Sequence, residues 1–185
     1  MKNIQNKKVT ILGAVRSGLG AAKLAKRHGA IPFVSDKGDI EKLTEANQIL
    51  KNEGIDFEFG THSDKVFDCD IFITSPGVPS DSAVIKEALK RGIKIISEIE
   101  FSSWFCESPI IAITGTNGKT TTTSLMHYAI NNCGLVSKVG GNIGNAFSDF
   151  ADTLKENENA VLEISSFQLD YIDTFKPKYS IIINI

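Results

Sequence analysis

Short apolar runs alternate with longer stretches of helical spacing along the N-terminal half of the chain. Val9 to Leu12, Ile31 to Val34, Ile71 to Thr74 and Lys94 to Ile96 read as buried strands. Gly18 to His28, Ile40 to Asn52 and Ser82 to Arg91 place apolar residues on one helical face and read as helices. Glycines follow these helices at Gly29, Gly54 and Gly92, where a left-handed C-terminal cap favours a residue without Cβ. Strands alternating with helices predict an α/β fold, a Rossmann-like parallel sheet covered on both faces.

After the segment Ser97 to Glu107 the pattern starts again. Pro109 to Ile113 is a new buried strand, Thr114 to Thr120 a glycine-rich turn, and Thr121 to about Asn132 a helix. Ala160 to Glu163 and Tyr179 to Ile185 read as two further strands. The expected division is a Rossmann-like domain over residues 1–107 and the first part of a P-loop α/β domain over residues 108–185, with the boundary near Cys106 to Ser108. Because the sequence stops inside the apolar run Ile181 to Ile185, the second domain is expected to be truncated and one face of that strand uncovered.

Charge narrows the ligand classes. Among 185 residues, 20 Lys and Arg stand against 22 Asp and Glu, so no broad positive field suits nucleic acid or a membrane surface. Any phosphate-bearing ligand has to be held by local devices. Cys69, Cys106 and Cys133 are odd in number and far apart, which predicts reduced thiols and neither a disulfide framework nor a metal signature. His28, His62 and His127 are equally scattered and receive no chemical role. No stretch has the length of a membrane span and MKNIQNKK has no apolar core, so the expected compartment is the cytoplasm.

The strongest chemical signal is Gly115-Thr-Asn-Gly118-Lys119-Thr120, set between a buried strand and a helix. Glycines let backbone wrap phosphates, the helix adds its positive N-terminal end, Lys119 reaches the phosphates and the Thr120 hydroxyl suits magnesium. The full P-loop spacing places a glycine where Ile113 stands, so this is a shortened variant. Glu163 closes an apolar strand and reads equally as a magnesium-holding carboxylate or as a solvated strand end. Near the N-terminus, Ile11-Leu-Gly13-Ala-Val-Arg16-Ser17-Gly18 resembles a dinucleotide fingerprint, with Asp36 where a ribose-binding acid is expected. Val15 replaces the glycine that admits a pyrophosphate, which argues against NAD. Thr74-Ser-Pro-Gly77-Val-Pro79 would bring Ser75 and Gly77 to the same sheet end. Alone, it reads better as a plain proline-glycine turn.

Four motifs in order, Thr74-Ser-Pro-Gly77, Ile113-Thr-Gly-Thr-Asn-Gly-Lys-Thr-Thr121, Gly140-Gly-Asn-Ile-Gly144 and Leu162-Glu-Ile-Ser-Ser-Phe-Gln-Leu169, resemble the Mur ligase family over essentially the whole chain. The last two point to the branch that adds D-glutamate. The resemblance implies ATP binding by Gly115, Thr116, Asn117, Gly118, Lys119, Thr120 and Thr121, and magnesium held by Thr120 and Glu163. Lys119 and Glu163 would be catalytic. Asn142, Ser165 and Gln168 would meet a muramoyl-alanine group, while Arg16, Ser17, Asp36, Ser75, Pro76 and Gly77 would hold its UDP. Val15 and Gly38 depart from the family member compared, which has glycine and arginine there, and Lys37 is a candidate substitute.

The implied reaction is ATP-dependent ligation of D-glutamate to UDP-N-acetylmuramoyl-L-alanine through an acyl phosphate, in peptidoglycan synthesis, by an enzyme monomeric at full length. A downstream histidine, a carbamylated lysine and an amino-acid-binding domain complete such enzymes, so these 185 residues alone are expected to be inactive. Rival readings are a sister enzyme, either the L-alanine-adding ligase or one like folylpolyglutamate synthase, a nicotinamide dehydrogenase, which leaves Gly-Lys-Thr unexplained, and a nucleotide-binding module without catalysis.

Overall fold

The computed structural model describes residues 2–185. In the first half, β1 (Lys8–Leu12), α1 (Arg16–Arg27), β2 (Ile31–Asp36), α2 (Thr44–Asn52), β3 (Asp56–Phe59), β4 (Ile71–Thr74), α3 (Ala83–Lys90), β5 (Ile95–Ser97) and α4 (Glu98–Ser103) follow one another. The strands form a sheet of order β3-β2-β1-β4-β5 whose pairings are all parallel. Both faces are covered, as the apolar runs predict. Val9, Ile11, Val34, Ile73 and Ile96 pack with Ala21, Leu24, Ala46 and Leu50 of α1 and α2. Leu12, Phe33, Phe72 and Ile95 turn the other way, onto Val84, Ile85 and Ala88 of α3.

The second half contains β6 (Ile110–Thr114), α5 (Lys119–Asn132), β7 (Ser137–Gly141), β8 (Asn159–Glu163), α6 (Ser166–Leu169) and β9 (Tyr179–Ile182). Its sheet has the order β7-β8-β6-β9, again all parallel. Ile110, Ala112, Ala160 and Leu162 face Phe147, Phe150, Ala151 and Leu154, whereas Ile111, Ile113 and Val161 face Met126 and Ile130 of α5.

Several expectations need correction. The helix expected over Ile40 to Asn52 begins only at Thr44, because the chain over Gly38 to Leu43 is held in turns by bonds from Gly38 N–H to Asp36 and from Gly60 N–H to Gly38 O. α1 and α5 start two residues earlier than expected, at Arg16 and Lys119. β3 and β7 have no apolar run to announce them: one is Asp-Phe-Glu-Phe at a sheet edge, the other ends in two glycines. The last strand stops at Ile182, and Ile183 to Ile185 lie beyond it. Of that run, Ile181 and Ile183 pack against the α5 side, and Ile182 is exposed. Gly29, Gly54 and Gly92 do take positive φ after their helices.

α4 joins the two cores. Phe101 and, just beyond it, Phe105 pack with the first core, and Ile99 packs with the second. On the same helix the buried Glu100 carboxylate accepts from the N–H groups of Asp173, Thr174 and Phe175 at 2.9, 2.9 and 2.7 Å. Its other oxygen accepts from Trp104 Nε1 at 2.7 Å and from the Thr174 hydroxyl at 2.5 Å. Glu100 thus ties the segment leading into β9 to the first half, beside the Lys94–Asp173 ion pair at 2.6 Å.

Burial alone would push the Glu100 carboxyl up, but these donors, led by the Thr174 hydroxyl, pull it down from 4.5 to about 2. A carboxylate with a depressed folded-state pKa stabilises the fold above its unfolded value and loses that contribution as pH falls through the folded one. Glu100→Gln should therefore be less stable than the parent at pH 7, by on the order of 3 kcal/mol. The gap should narrow between pH 4.5 and about 2. Urea unfolding of both chains across that range measures it, and a gap that does not change with pH would contradict this account.

Candidate functional site

Register brings the chemistry of the second sheet together. Ile113 of β6 lies opposite Glu163 of β8, and Glu163 lies opposite Gly141 of β7, so the loop after β6, the Glu163 carboxylate and the turn after β7 share one sheet edge. Gly118 takes φ 81°, a left-handed conformation that turns the chain into α5 and that a side chain would strain. The first-turn amides of α5 have no acceptor within the helix, and the helix dipole adds positive potential at the same place. Lys119 lies over the loop, its Nζ donating to Gly115 O at 2.8 Å and Thr116 O at 3.0 Å.

Glu163 is 2% exposed and makes no ion pair with a basic side chain among the described residues. Its Oε2 accepts from the Thr120 hydroxyl at 2.7 Å and its Oε1 from Asn142 Nδ2 at 2.7 Å. The Asn142 N–H also donates to Glu163 O at 2.9 Å. A buried carboxylate with only neutral donors, beside a threonine hydroxyl at a phosphate-type loop, is a fitting cation site. One carboxylate, one hydroxyl and phosphate oxygens suit magnesium, which keeps water among its ligands. The described residues contain no cluster of three or more His, Cys, Asp or Glu that would cage a metal unaided.

One feature of the loop is not visible from its motif. Asn184 Oδ1 accepts from the N–H groups of Thr116 and Asn117 at 2.8 and 3.0 Å, and Asn184 Nδ2 donates to Asn117 O at 3.2 Å. Those two amides are therefore occupied by Asn184. The sign was a lone polar residue in Ile181-Ile-Ile-Asn-Ile185.

In the first sheet the strand order reverses at β1, and a crevice opens between the turns that follow β1 and β4, the usual ligand position in such sheets. A cavity of about 470 Å³ there is lined by Arg16, Ser17, Asp36, Ser75, Pro76 and Gly77, with Asn142 and Gln168 from the second half. Asp36 is already engaged, accepting from Ala14 N–H at 2.6 Å and Gly38 N–H at 2.7 Å, so it shapes the turn as well as facing the crevice. Val15 stands 66% exposed at the mouth. Ser165 is the one expected crevice residue that does not line this cavity. It lies with Lys119, Gly115 and Thr116 around a neighbouring cavity, and its N–H and hydroxyl both donate to Gln168 Oε1 at 3.0 and 3.2 Å. Pro76, Gly77 and Asn142 line both cavities, so the crevice and the phosphate loop open onto each other.

Residues 8–84 match the family model of the MurD N-terminal domain and residues 113–185 that of the Mur ligase middle domain. The chain belongs to the Mur ligase family. Among its Mur ligase relatives, the UDP-N-acetylmuramoylalanine–D-glutamate ligase of Chloroherpeton thalassium is 46% identical over 100% of this chain and 40% of its own length. The ligase of the same name from Christiangramia forsetii is 44% identical over 97% of the chain and 40% of its length. The chain thus spans about 40% of the length of these curated relatives. Crystal structures of a Psychrobacter arcticus murein peptide ligase (TM-score 0.62, 20% identity, 95% of this chain and 42% of that one) and of Thermotoga maritima UDP-N-acetylmuramate–alanine ligase (0.57, 25%, 95% and 41%) share the fold.

In this Mur ligase chain, Gly141 sets the approach of Asn142 to Glu163. It has φ 96°, and a Cβ there would collide with the Glu163 carbonyl oxygen. Gly141→Ala should cost at least about 2 kcal/mol and displace Asn142. Gly144→Ala, also at positive φ (56°) but in open space, should cost only about 1 kcal/mol. Thermal unfolding of the two variants tests the difference, and equal costs would contradict it.

Proposed function

We propose that these residues supply the UDP-substrate crevice and the ATP phosphate loop of a cytoplasmic ligase that joins D-glutamate to UDP-N-acetylmuramoyl-L-alanine in peptidoglycan synthesis. The observation that carries this reading is the opening of the crevice onto the phosphate loop at Gly77 and Asn142. A substrate whose nucleotide lies along the Arg16, Ser17, Asp36 and Ser75-Pro76-Gly77 side extends past Asn142 and Gln168 toward Lys119. Its terminal carboxylate is then delivered to the phosphates.

In this reading residues 1–107 form the substrate domain and residues 108–185 the P-loop domain. ATP with magnesium supplies the phosphoryl group that activates the alanyl carboxylate. Lys119 and the α5 N-terminus offset the charge gathered there, since two anions have to approach each other. Thr120 and Glu163 hold magnesium beside the phosphates. Asn142, with Gln168 and Ser165, orients the muramoyl-alanine arm so that the carboxylate meets the phosphate in line. D-Glutamate then displaces phosphate from the acyl phosphate as its amine attacks the acyl carbon.

Calorimetry tests the reading one half at a time. The chain should bind UDP-N-acetylmuramoyl-L-alanine more tightly than UDP-N-acetylmuramic acid or NAD, and tighter NAD binding would overturn the crevice assignment. Lys119→Ala should weaken magnesium-ATP binding by at least about tenfold, the loss expected when a charge-assisted phosphate contact disappears. Unchanged affinity would remove the loop from the proposed site.

A further inference from the structure

Arg16 opens α1 at the crevice, yet its guanidinium is engaged by the other half of the molecule. Nη1 donates to Gly144 O at 2.6 Å and Nη2 to Asn142 O at 3.1 Å. Both carbonyls belong to the turn that leaves β7. From Asn142 the hydrogen bonds continue through its Nδ2 to Glu163 Oε1, and from Glu163 Oε2 to the Thr120 hydroxyl, each at 2.7 Å. An unbroken polar path therefore runs from the first turn of α1 to the first turn of α5.

We propose that Arg16 is a positioning residue for the Glu163 carboxylate: by gripping the Asn142–Gly144 turn from the crevice side, it fixes the Asn142 amide that aims Glu163 at the phosphate loop. The proposal rests on the reading of Thr120 and Glu163 as the magnesium-holding pair. Glu163 is buried without a basic partner, so its rotamer is set by its two neutral donors. One of those donors, Asn142, opens the turn Asn142-Ile-Gly-Asn145 that leaves β7, in which Asn142, Gly144 and Asn145 are exposed. A guanidinium presents several donors in a rigid planar fork and can hold two carbonyls at once, whereas a lysine ammonium on a flexible stem holds such a pair poorly. Polar partners behind a metal ligand govern its orientation and the affinity of the site.

The other polar links between the halves do not touch this path. Arg27 pairs with Asp152 at 2.9 Å, and Glu98 accepts from Ser148 N–H at 2.7 Å. They separate a positioning role from the simple holding together of two sheets.

The test compares Arg16→Met, Arg16→Lys and Asp152→Asn in the 185-residue chain. NMR follows the Asn142 side-chain amide and the Glu163 carboxyl carbon, and calorimetry gives ADP affinity with and without magnesium. Arg16→Met should shift both signals and reduce the magnesium enhancement of ADP binding, the ratio of affinities with and without magnesium, by about tenfold. Arg16→Lys should recover part of this, and Asp152→Asn should change neither readout. Unmoved Asn142 and Glu163 signals in Arg16→Met would overturn the proposal. So would equal shifts in Asp152→Asn, which would reduce Arg16 to a general tether. If the parent chain shows no magnesium enhancement while Arg16→Met still moves the Glu163 signal, the magnesium reading fails and the positioning link stands.

Discussion

A carboxylate buried without a counter-charge constrains everything around it. Removing a charge from water costs several kcal/mol unless hydrogen bonds or a cation compensate, and Glu163 has only the Thr120 hydroxyl and the Asn142 amide among the described residues. Each donor has to be delivered from a different element, α5 for one and the turn after β7 for the other. The parallel register of β7, β8 and β6 makes this possible, since it sets Gly141, Glu163 and Ile113 side by side. The close approach of Gly141 to the Glu163 backbone follows from the same demand. The glycine-rich loop, the acidic strand end and the glycine-asparagine turn, separate in the sequence, form one arrangement around the Glu163 carboxylate.

The two halves meet at that arrangement and behind it. At the front, the crevice takes Asn142 and Gln168 from the second half, and Arg16 crosses from the first. Behind, α4 contributes to both cores, and Glu100 gathers five hydrogen bonds, three of them from the backbone of Asp173 to Phe175. Both junctions use a charged group that bonds across the halves, Glu100 through four of its five hydrogen bonds and Arg16 through two, so their geometry depends on how the sheets sit against each other.

Much of the site was legible residue by residue. Gly115 to Thr121 announced a phosphate loop because a strand, two glycines, a lysine and a helix start occur at fixed offsets, and local chemistry requires that order. Glu163, Asn142 and Gln168 were legible only through their place in ordered motifs. Taken alone, a glutamate at a strand end is as well explained by solvent. Asn184 escaped, although a single asparagine in an apolar run was there to be seen, because its partners Thr116 and Asn117 are distant in sequence. Arg16 was assigned to a nucleotide, as its place in a fingerprint-like turn suggests, and nothing in the motif announced that it also donates to the Gly144 and Asn142 carbonyls of the other half.

By itself the sequence determined the α/β class, the buried strands with strong apolar runs, the glycine helix caps and the strand, glycine-rich turn and helix around Gly115 to Thr121, all of which depend on periodicity or on neighbours within a few residues. It did not determine β3 and β7, which have no continuous apolar run: β3 alternates Asp-Phe-Glu-Phe, with Phe57 and Phe59 against the first core, and β7 ends in two glycines. Nor did it determine that Asp36 is occupied by two amides, that Glu163 is buried, or that the crevice and the phosphate loop share a wall. Those depend on which strands lie side by side and on how two sheets meet. Contacts of that kind join residues far apart in the chain, and only the folded packing brings them within hydrogen-bond reach.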